Sequence, residues 1–494
     1  MALVPIKIPA GVYRNGTEYQ SAGRWYDSNL VRWFENTLRP WGGWRKRSDS
    51  QMTGTARGLI TWRDNSNARW ISAGTPTKLY AMNEAGTLKD ITPTTFTTGI
   101  TDATLKTGYG YSTYGSYSYG VARPDLGGLI PATTWTMDSW GEYLVACSSA
   151  DGQLLEWQLG FATPTKAVAI TNAPTSCAAV MTTAERFVFG LGASGNPRKV
   201  SWCDQENNTV WTPSTTNQAG DFELNSVGSL KCGKRVRGIN LLFTDVDVHV
   251  ATYIGLPYVY SFEKAGSGCG VISSQSVAAI DTAAIWMSKS GFWVYDGYVK
   301  PLVSDVGDYV FQNINYNQSS KVYAVHNSKY GEIIWFYPSA ASNENDSYVV
   351  YNYREGHWAI GSLARVSGTD RGVFTNPLMI SSDGYIYEHE VGYAYDSAVP
   401  FAESGPYELT GAGDNIMSVR RVIPDEQTLG EVVVSFKTRM YPMATETTYG
   451  PYAAAQPTDV RFAARQVKIR YTGNVLEDWR VGVNRIDVVA MGKR

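Results

Sequence analysis

The chain has 494 residues, 43% of them hydrophobic, with 32 Tyr, 16 Trp and 48 Gly. That length exceeds what one simple core supports, so either several domains or one large closed β architecture must account for it. A formal net charge of −2 and a charged fraction of 18% exclude a protein that grips nucleic acid through a large basic excess, though a weakly charged wall suits a channel past which DNA slides.

Residues 1–50 are rich in Arg, Trp and Gly and read as an arm outside the pattern that follows, an assembly segment wrapped on the first repeat. The opening MALVPIKIPAGVYRNGTEY lacks the basic and apolar regions of a secretory signal, and no run reaches the ~18–20 apolar residues of a membrane span. The expectation is a protein made in the cytoplasm without stable membrane insertion. Arg24, Trp25, Arg32, Trp33, Arg39, Trp41, Trp44, Arg45, Lys46 and Arg47 alternate cation with indole. Trp and Arg are frequent interface anchors, so these ten are the candidate assembly contacts. Arg beside Trp also suits a phosphate or an acidic surface, and the plain alternative is a solvated arm whose rings cover a blade. As an arm, residues 1–48 should be removable without unfolding the rest. No helix is clear anywhere; a short turn near 27–36 is the best candidate.

From 51 to 404 one unit recurs without an exact repeat: an alternating strand, a turn on Gly, Asp or Asn, and a second alternating strand. Copies fall at 68–93, 142–159, 185–203, 238–262, 283–299, 321–359 and 377–391. Asp151-Gly152, Asp383-Gly384, Asn83 and Asn196 supply hairpin turns. One small antiparallel sheet cannot bury both faces, but sheets packed around an axis cover one another and leave only short edges. A period of roughly 40–70 residues fits that arrangement. The predicted fold is all-β: a β-propeller of about seven blades, range six to eight, with stacked sandwiches as the alternative that alternation does not separate. Residues 405–494 hold longer strands, at 431–442, 459–473 and 478–492, and predict a small β-sandwich-like C-terminal domain. Residues 107–120, TGYGYSTYGSYSYG, are either a Tyr-rich docking loop or a structureless insertion.

Tests for chemistry are mostly negative. None of His249, His326, His357 and His389 lies in an HExxH or GxSxG setting. The run Gly266–Gly270 lacks the spacing of a phosphate loop and reads as a turn. Asp245, Asp247 and His249 would share one strand face and could contribute to a Ca²⁺ or Zn²⁺ site; the plainer reading puts the valines inside and these groups outside. Ser149–Gly152 and Ser381–Gly384 resemble sialidase turns, but Gly follows Asp directly in both. Cys147, Cys177, Cys203, Cys232 and Cys269 are odd in number, form no CxxC pair and read as reduced core residues. No catalytic residue, cofactor or metal is expected, and the chain is not read as an enzyme.

Gly23-Arg24-Trp25-Tyr26-Asp27-Ser28-Asn29-Leu30-Val31-Arg32-Trp33, continuing to Leu38-Arg39-Pro40-Trp41-Gly42-Gly43-Trp44, resembles the N-terminal signature of a family of short-tailed (podovirus) bacteriophage tail proteins. Ala68-Arg69-Trp70, Thr77–Tyr80, Asp90–Pro93, Trp211–Ser214, Asn217–Phe222, Ser290–Gly297 and Gly356-His357-Trp358 extend the resemblance over roughly residues 10–400. The family is that of tail hub or nozzle proteins, also described as packaged-DNA-stabilisation proteins. The resemblance implies a virion protein forming a homohexameric ring below the portal and its adaptor, supporting fibres or a needle. Such a ring extends the DNA channel, retains the genome and conducts double-stranded DNA without reading its sequence. The motifs are turns and aromatics and imply no catalytic residue. A propeller-type module that recognises a receptor or glycan is the competing expectation.

Overall fold

The computed structural model describes residues 2–106, 128–160, 165–408, 415–428, 430–474 and 476–492. Seven four-stranded antiparallel sheets follow one another along the chain. Their innermost strands are Leu59–Arg63, Trp135–Trp140, Ala179–Thr182, Leu230–Val236, Val277–Ala279, Tyr323–Asn327 and Arg365–Thr369. Each packs beside the next and the last beside the first, so the sheets close into a seven-bladed propeller. The seven sequence units fall one per blade. In all but the sixth the unit begins after the innermost strand. The sixth unit includes its inner strand, Tyr323–Asn327, which alternates buried and half-buried positions, whereas Leu59–Arg63, Trp135–Trp140 and the wholly buried Ala179–Thr182 do not.

Local chemistry sets the turns and the packing between blades. Gly152 and Gly384, in the two Asp-Gly turns, have φ of +66° and +79°, which an L side chain adopts only under strain. Buried indoles join blade to blade. Trp135 Nε1 donates to Thr75 O at 2.8 Å, and Trp335 Nε1 to Ser276 O at 2.9 Å. Tryptophan serves here because it combines a large apolar surface with one donor.

The N-terminal residues are not a removable arm. Trp44–Lys46 is the outermost strand of blade 7, paired with Ile386–His389. The two ends of the propeller are thereby fastened by backbone hydrogen bonds. Arg47 and Asp49 go on to touch blade 1 at Glu84 and Gly86, so the segment reaches the first blade while its strand belongs to the last.

The C-terminal strands form a two-sheet sandwich completed from the N-terminus. One sheet is ordered Ala2–Pro5, Arg485–Ala490, Met417–Ile423, Thr458–Ala464. The other is ordered Trp25–Asn29, Phe401–Ser404, Gln466–Gly473, Val432–Arg439, Thr447–Ala453. The run 459–473, read as one strand, breaks at Arg465 and crosses between the sheets. In the run 478–492 the strand begins only at Arg485, and Trp479 is buried in the preceding loop.

The stretch 27–36 is not helical. It holds the end of Trp25–Asn29 and the strand Val31–Phe34, which forms a hairpin with Thr37–Pro40 through a turn at Glu35 and Asn36, φ +53° and +59°. This hairpin is wedged between blade 6 and the sandwich, and one apolar core runs from Trp335 and Trp358 through Trp25, Trp33 and Trp41 to Tyr471 and Trp479. The helix Gly307–Gln312 and short 3-10 turns are the helical elements among the described residues. The Tyr-rich segment 107–120 lies outside the described residues. Its flanks, Thr104–Lys106 and Gly128–Ile130, pair antiparallel.

Candidate assembly surface and axial cavity

The ten Arg, Lys and Trp candidates divide by burial. Trp25, Trp33, Trp41 and Trp44 are buried within the chain, so they are not available as anchors for another protein. Each removes on the order of 200 Å² from water, roughly 5 kcal/mol as an upper bound, and spends it joining the wedge hairpin, blades 6 and 7 and the sandwich. Trp41 stacks on Tyr348 at 4.7 Å, and Trp25 lies 5.6 Å from Trp33. Gly42 permits this approach: a Cβ there would stand 2.4 Å from Glu390 Cα.

Arg32 is also internal. Its Nε and Nη2 donate to the Glu332 carboxylate at 3.0 Å each, and its Nη1 and Nη2 to Glu390 at 2.9 and 2.5 Å. All three side chains are buried. Burial pushes the Glu332 carboxyl up despite Arg32. Burial also opposes ionisation of Glu390, but Arg32 and the Gly42 N–H hold it below the usual range. Two carboxylates on one guanidinium keep Arg32 charged, its pKa raised. Sequence reading missed Glu332 and Glu390 because they lie about 300 residues away, and no local spacing marks such a partner.

Arg24, half-buried, pairs with Asp305 at 3.2 Å. Arg39 lies over the Phe34 ring and Arg47 over Phe374. Arg45 is 66% exposed and binds Glu388, itself buried, at 3.0 Å. Lys46, exposed, sits over Tyr385. As an outward-facing set the candidates therefore reduce to Arg45 and Lys46, with Arg24, Arg39 and Arg47 partly accessible.

Down the propeller axis runs a cavity of about 380 Å³ lined from all seven blades, including Met137, Lys234, Ala278, Val325 and Gly368. Gln275 bars one end: its Nε2 donates across the axis to the carbonyls of Arg57 and Trp135. The segments leading into the inner strands enclose a second space of about 420 Å³. In the first, Asp138 accepts from Arg235 at 3.1 Å and from the Thr182 N–H at 2.9 Å. His326 meets Asp370 through Nδ1 at 3.0 Å and the Tyr353 hydroxyl through Nε2 at 3.0 Å. Both ring nitrogens are thus engaged within the chain. B-DNA, whose major groove alone is about 12 Å wide, does not pass through such a space.

The stretch Asp245–His249 turns inward from Asp247 on, with Val246 exposed and Asp245 half-buried. Asp247 and His249 are buried, contrary to the reading with valines inside and polar groups outside. The Asp247 carboxylate accepts from Ser226 and Thr244 and pairs with Lys264 at 2.9 Å, and these partners with His249 hold it below the usual range against burial. Its oxygens are occupied in fixing the turn into the strand Asp247–Gly255. Among the described residues no group of three His, Cys, Asp or Glu is placed to hold a metal.

Two surface tracts carry a signal that charge-seeking misses. Between Asp247 and Glu263 there is no Asp, Glu, Lys or Arg, and the hairpin Asp247–Gly255/Val259–Ser267 exposes Ile254, Leu256 and Tyr258 at its tip. Between Arg439 and Asp459 the single charge is Glu446. Glu446 is turned inward to Lys468 and Arg439, and Met440, Tyr441 and Met443 are exposed.

No protein-family model matches the chain, and no curated protein does either. Among solved structures it is similar to a streptogramin B lyase (7% identity, 69% of this chain and 95% of that one, TM-score 0.40). It is also similar to YCF48 from Cyanidioschyzon merolae (7% identity, 70% and 98%, TM-score 0.40). A third is PorZ, a surface component of the type-IX secretion system of Porphyromonas gingivalis (8% identity, 74% and 43%, TM-score 0.35). Identities of 7–8% say nothing of a shared activity.

Proposed function

We propose that the chain is a structural, non-catalytic virion protein of a short bacteriophage tail, a nozzle subunit that extends the DNA channel below the portal and adaptor. The observation that carries this reading is where the resembling residues lie. Gly23–Trp44 is the stretch that locks the propeller to the sandwich. Closure of the last blade by an N-terminal strand and a buried Arg–Glu–Glu junction suit a part that must withstand a passing genome. Because the propeller axis is too narrow for a duplex, the channel in this reading runs between copies, and a homohexamer supplies it. The remaining partners are the adaptor above and fibres or a needle below.

Quantitative mass spectrometry of gradient-purified particles, calibrated to the portal, tests this. The expected ratio is half the portal count; absence from particles overturns the reading. The polar axial cavity favours one other reading, a propeller module that binds a host receptor or glycan. Purified chain that retains host polysaccharide, and loses it on Arg235→Ala, would favour that reading.

A further inference from the structure

We propose that the axial cavity of the propeller holds a small hydroxylated anion, one bearing a carboxylate or a phosphate, bound through Lys234 and Arg235. This goes beyond the nozzle reading and stands or falls without it. The cavity, about 380 Å³, falls within the ~300–1,000 Å³ range of small-molecule sites. One end is closed. Gln275 spans the axis where the inner strands begin, against the carbonyls of Arg57 and Trp135. Asp138, Arg235, His326 and Asp370 come later along the inner strands or just after them, so the charged groups gather at the other end. Backbone supplies part of the wall. Each inner strand is the edge of its four-stranded sheet and pairs with one neighbour in it, which leaves N–H and C=O groups turned to the axis. Such a wall suits hydroxyls better than hydrocarbon.

The charge balance selects an anion. The carboxylates that line the cavity are those of Asp138 and Asp370, and both are spent within the chain. Asp138 accepts from Arg235 at 3.1 Å and from the N–H groups of Ser139 and Thr182 at 2.9 Å each. Asp370 meets His326 at 3.0 Å and accepts from the N–H groups of Ser328 and Arg371 at 3.2 and 2.7 Å. The cations are not spent. Lys234 is half-buried and makes no ion pair or side-chain hydrogen bond among the described residues. Arg235 gives Asp138 one bond, from Nη2, and its other donors have no partner among the described residues. A half-buried ammonium without a partner is an unfavourable arrangement, and Lys and Arg donors together complement the oxygens of a carboxylate or phosphate. Successive residues of a strand point to opposite faces, so Lys234 and Arg235 reach the cavity from the two sides of blade 4. Asp138 on blade 2 and Arg235 on blade 4 meet past the inner strand of blade 3, which sets the guanidinium at the axis. Gly233, Ala278, Ala324 and Gly368, all small, leave room beside it.

The test is isothermal titration calorimetry of the full chain with glucuronate and with glycerophosphate, and with glucose and glycerol as neutral comparisons, at fixed ionic strength. The expected result is saturable binding of at least one of the two anions and weaker binding, or none, of the neutral compounds. A response to glucuronate alone assigns the site to a carboxylate, and a response to glycerophosphate alone to a phosphate. Lys234→Gln should weaken the binding about tenfold or more, as the loss of one charge-assisted hydrogen bond does. Arg235→Gln should do the same. Lys300→Gln, on the outermost strand of blade 5, should leave binding unchanged. Lys234 leaves no partner stranded when it is replaced, so its variant keeps the fold, which circular dichroism checks. Binding of neither anion at millimolar concentration would overturn the proposal. So would neutral compounds that bind as tightly as the anions, or a folded Lys234→Gln that loses no more affinity than Lys300→Gln. These outcomes are read on the purified chain and are independent of the particle count that tests the nozzle.

Discussion

Two regions of this chain do opposite work. Residues 24–47, dense in Arg and Trp, are folded inward: their indoles are core, and Arg32 neutralises two buried carboxylates. The hairpin tip at 254–258, without a charged residue, faces out. Composition alone ranks the first as the sticky surface, because Trp and Arg dominate interface hot spots. The difference lies in partners. A residue type that anchors an interface anchors an internal junction equally well, and only the remote carboxylates and rings decide which. Exposed tracts without charge are the better surface signal here.

The largest test of this contrast is removal of residues 1–48. An arm would leave a folded propeller behind. Deletion of a structural strap leaves blade 7 with three strands and the sandwich without Ala2–Pro5 and Trp25–Asn29, and the expected product is insoluble or lacks a cooperative unfolding transition by circular dichroism. Next in size is Arg32→Ala. It strands Glu332 and Glu390 in the core, and loss of one member of a buried ionic group costs about 3–5 kcal/mol. Urea unfolding should show that loss. Arg32→Ala with Glu332→Gln should recover part of it, because one uncompensated charge is then gone. A loss under about 1 kcal/mol would place Arg32 in the class of surface ion pairs and break the contrast.

Acid probes the same junction. His357 lies edge-on to Trp33 at 6.2 Å and His389 against Trp44 at 5.4 Å. Burial depresses both, His389 strongly, with Arg365 adding to the effect. Above about pH 6.5, the ordinary histidine value, neither folded nor unfolded chain protonates them, and they contribute no slope. Below it the unfolded chain takes up protons that the folded one refuses. Stability then falls with pH by up to about 1.4 kcal/mol per unit for each histidine. The raised Glu332 carboxyl opposes this only nearer the ordinary carboxylate range. The urea midpoint should be flat from pH 8 to 7 and drop between 6.5 and 5. His389→Gln, which keeps an acceptor for the Arg365 Nε–H now at 2.9 Å, should make the drop shallower; an unchanged slope would remove His389 as a source.

Much of the propeller is legible in the sequence because blade hairpins announce themselves through alternation and Asp-Gly turns. Innermost strands such as Leu59–Arg63, Trp135–Trp140 and Ala179–Thr182 are hidden because they carry no such alternation. Blade 7 is hidden for a different reason: its fourth strand, Trp44–Lys46, precedes the rest of its sheet by more than 300 residues, and no periodicity connects them. The sandwich is legible in its long strands but not in its membership, since two strands come from the N-terminus. The Asp245–His249 reading failed because Asp247 meets its partners Ser226 and Lys264 only in the folded blade.

The smallest effect separates two sheet edges. Trp44–Lys46 and Thr447–Ala453 both end a sheet, the first with Arg45 and Lys46 pointing out and the second with none. Arg45 is largely solvated, and Glu388 keeps a bond from Asn376 at 2.9 Å when Arg45 is lost. Arg45→Thr with Lys46→Thr should therefore change folding stability by less than about 1 kcal/mol. Its consequence should appear elsewhere. Charge on an edge strand discourages pairing with another chain, so the double variant should self-associate at concentrations where the wild type does not, as read by light scattering. If it stays as soluble as the wild type, charge is not what keeps the edge Trp44–Lys46 unpaired, and it then resembles Thr447–Ala453, whose edge carries Pro451 and a register shift in place of charge.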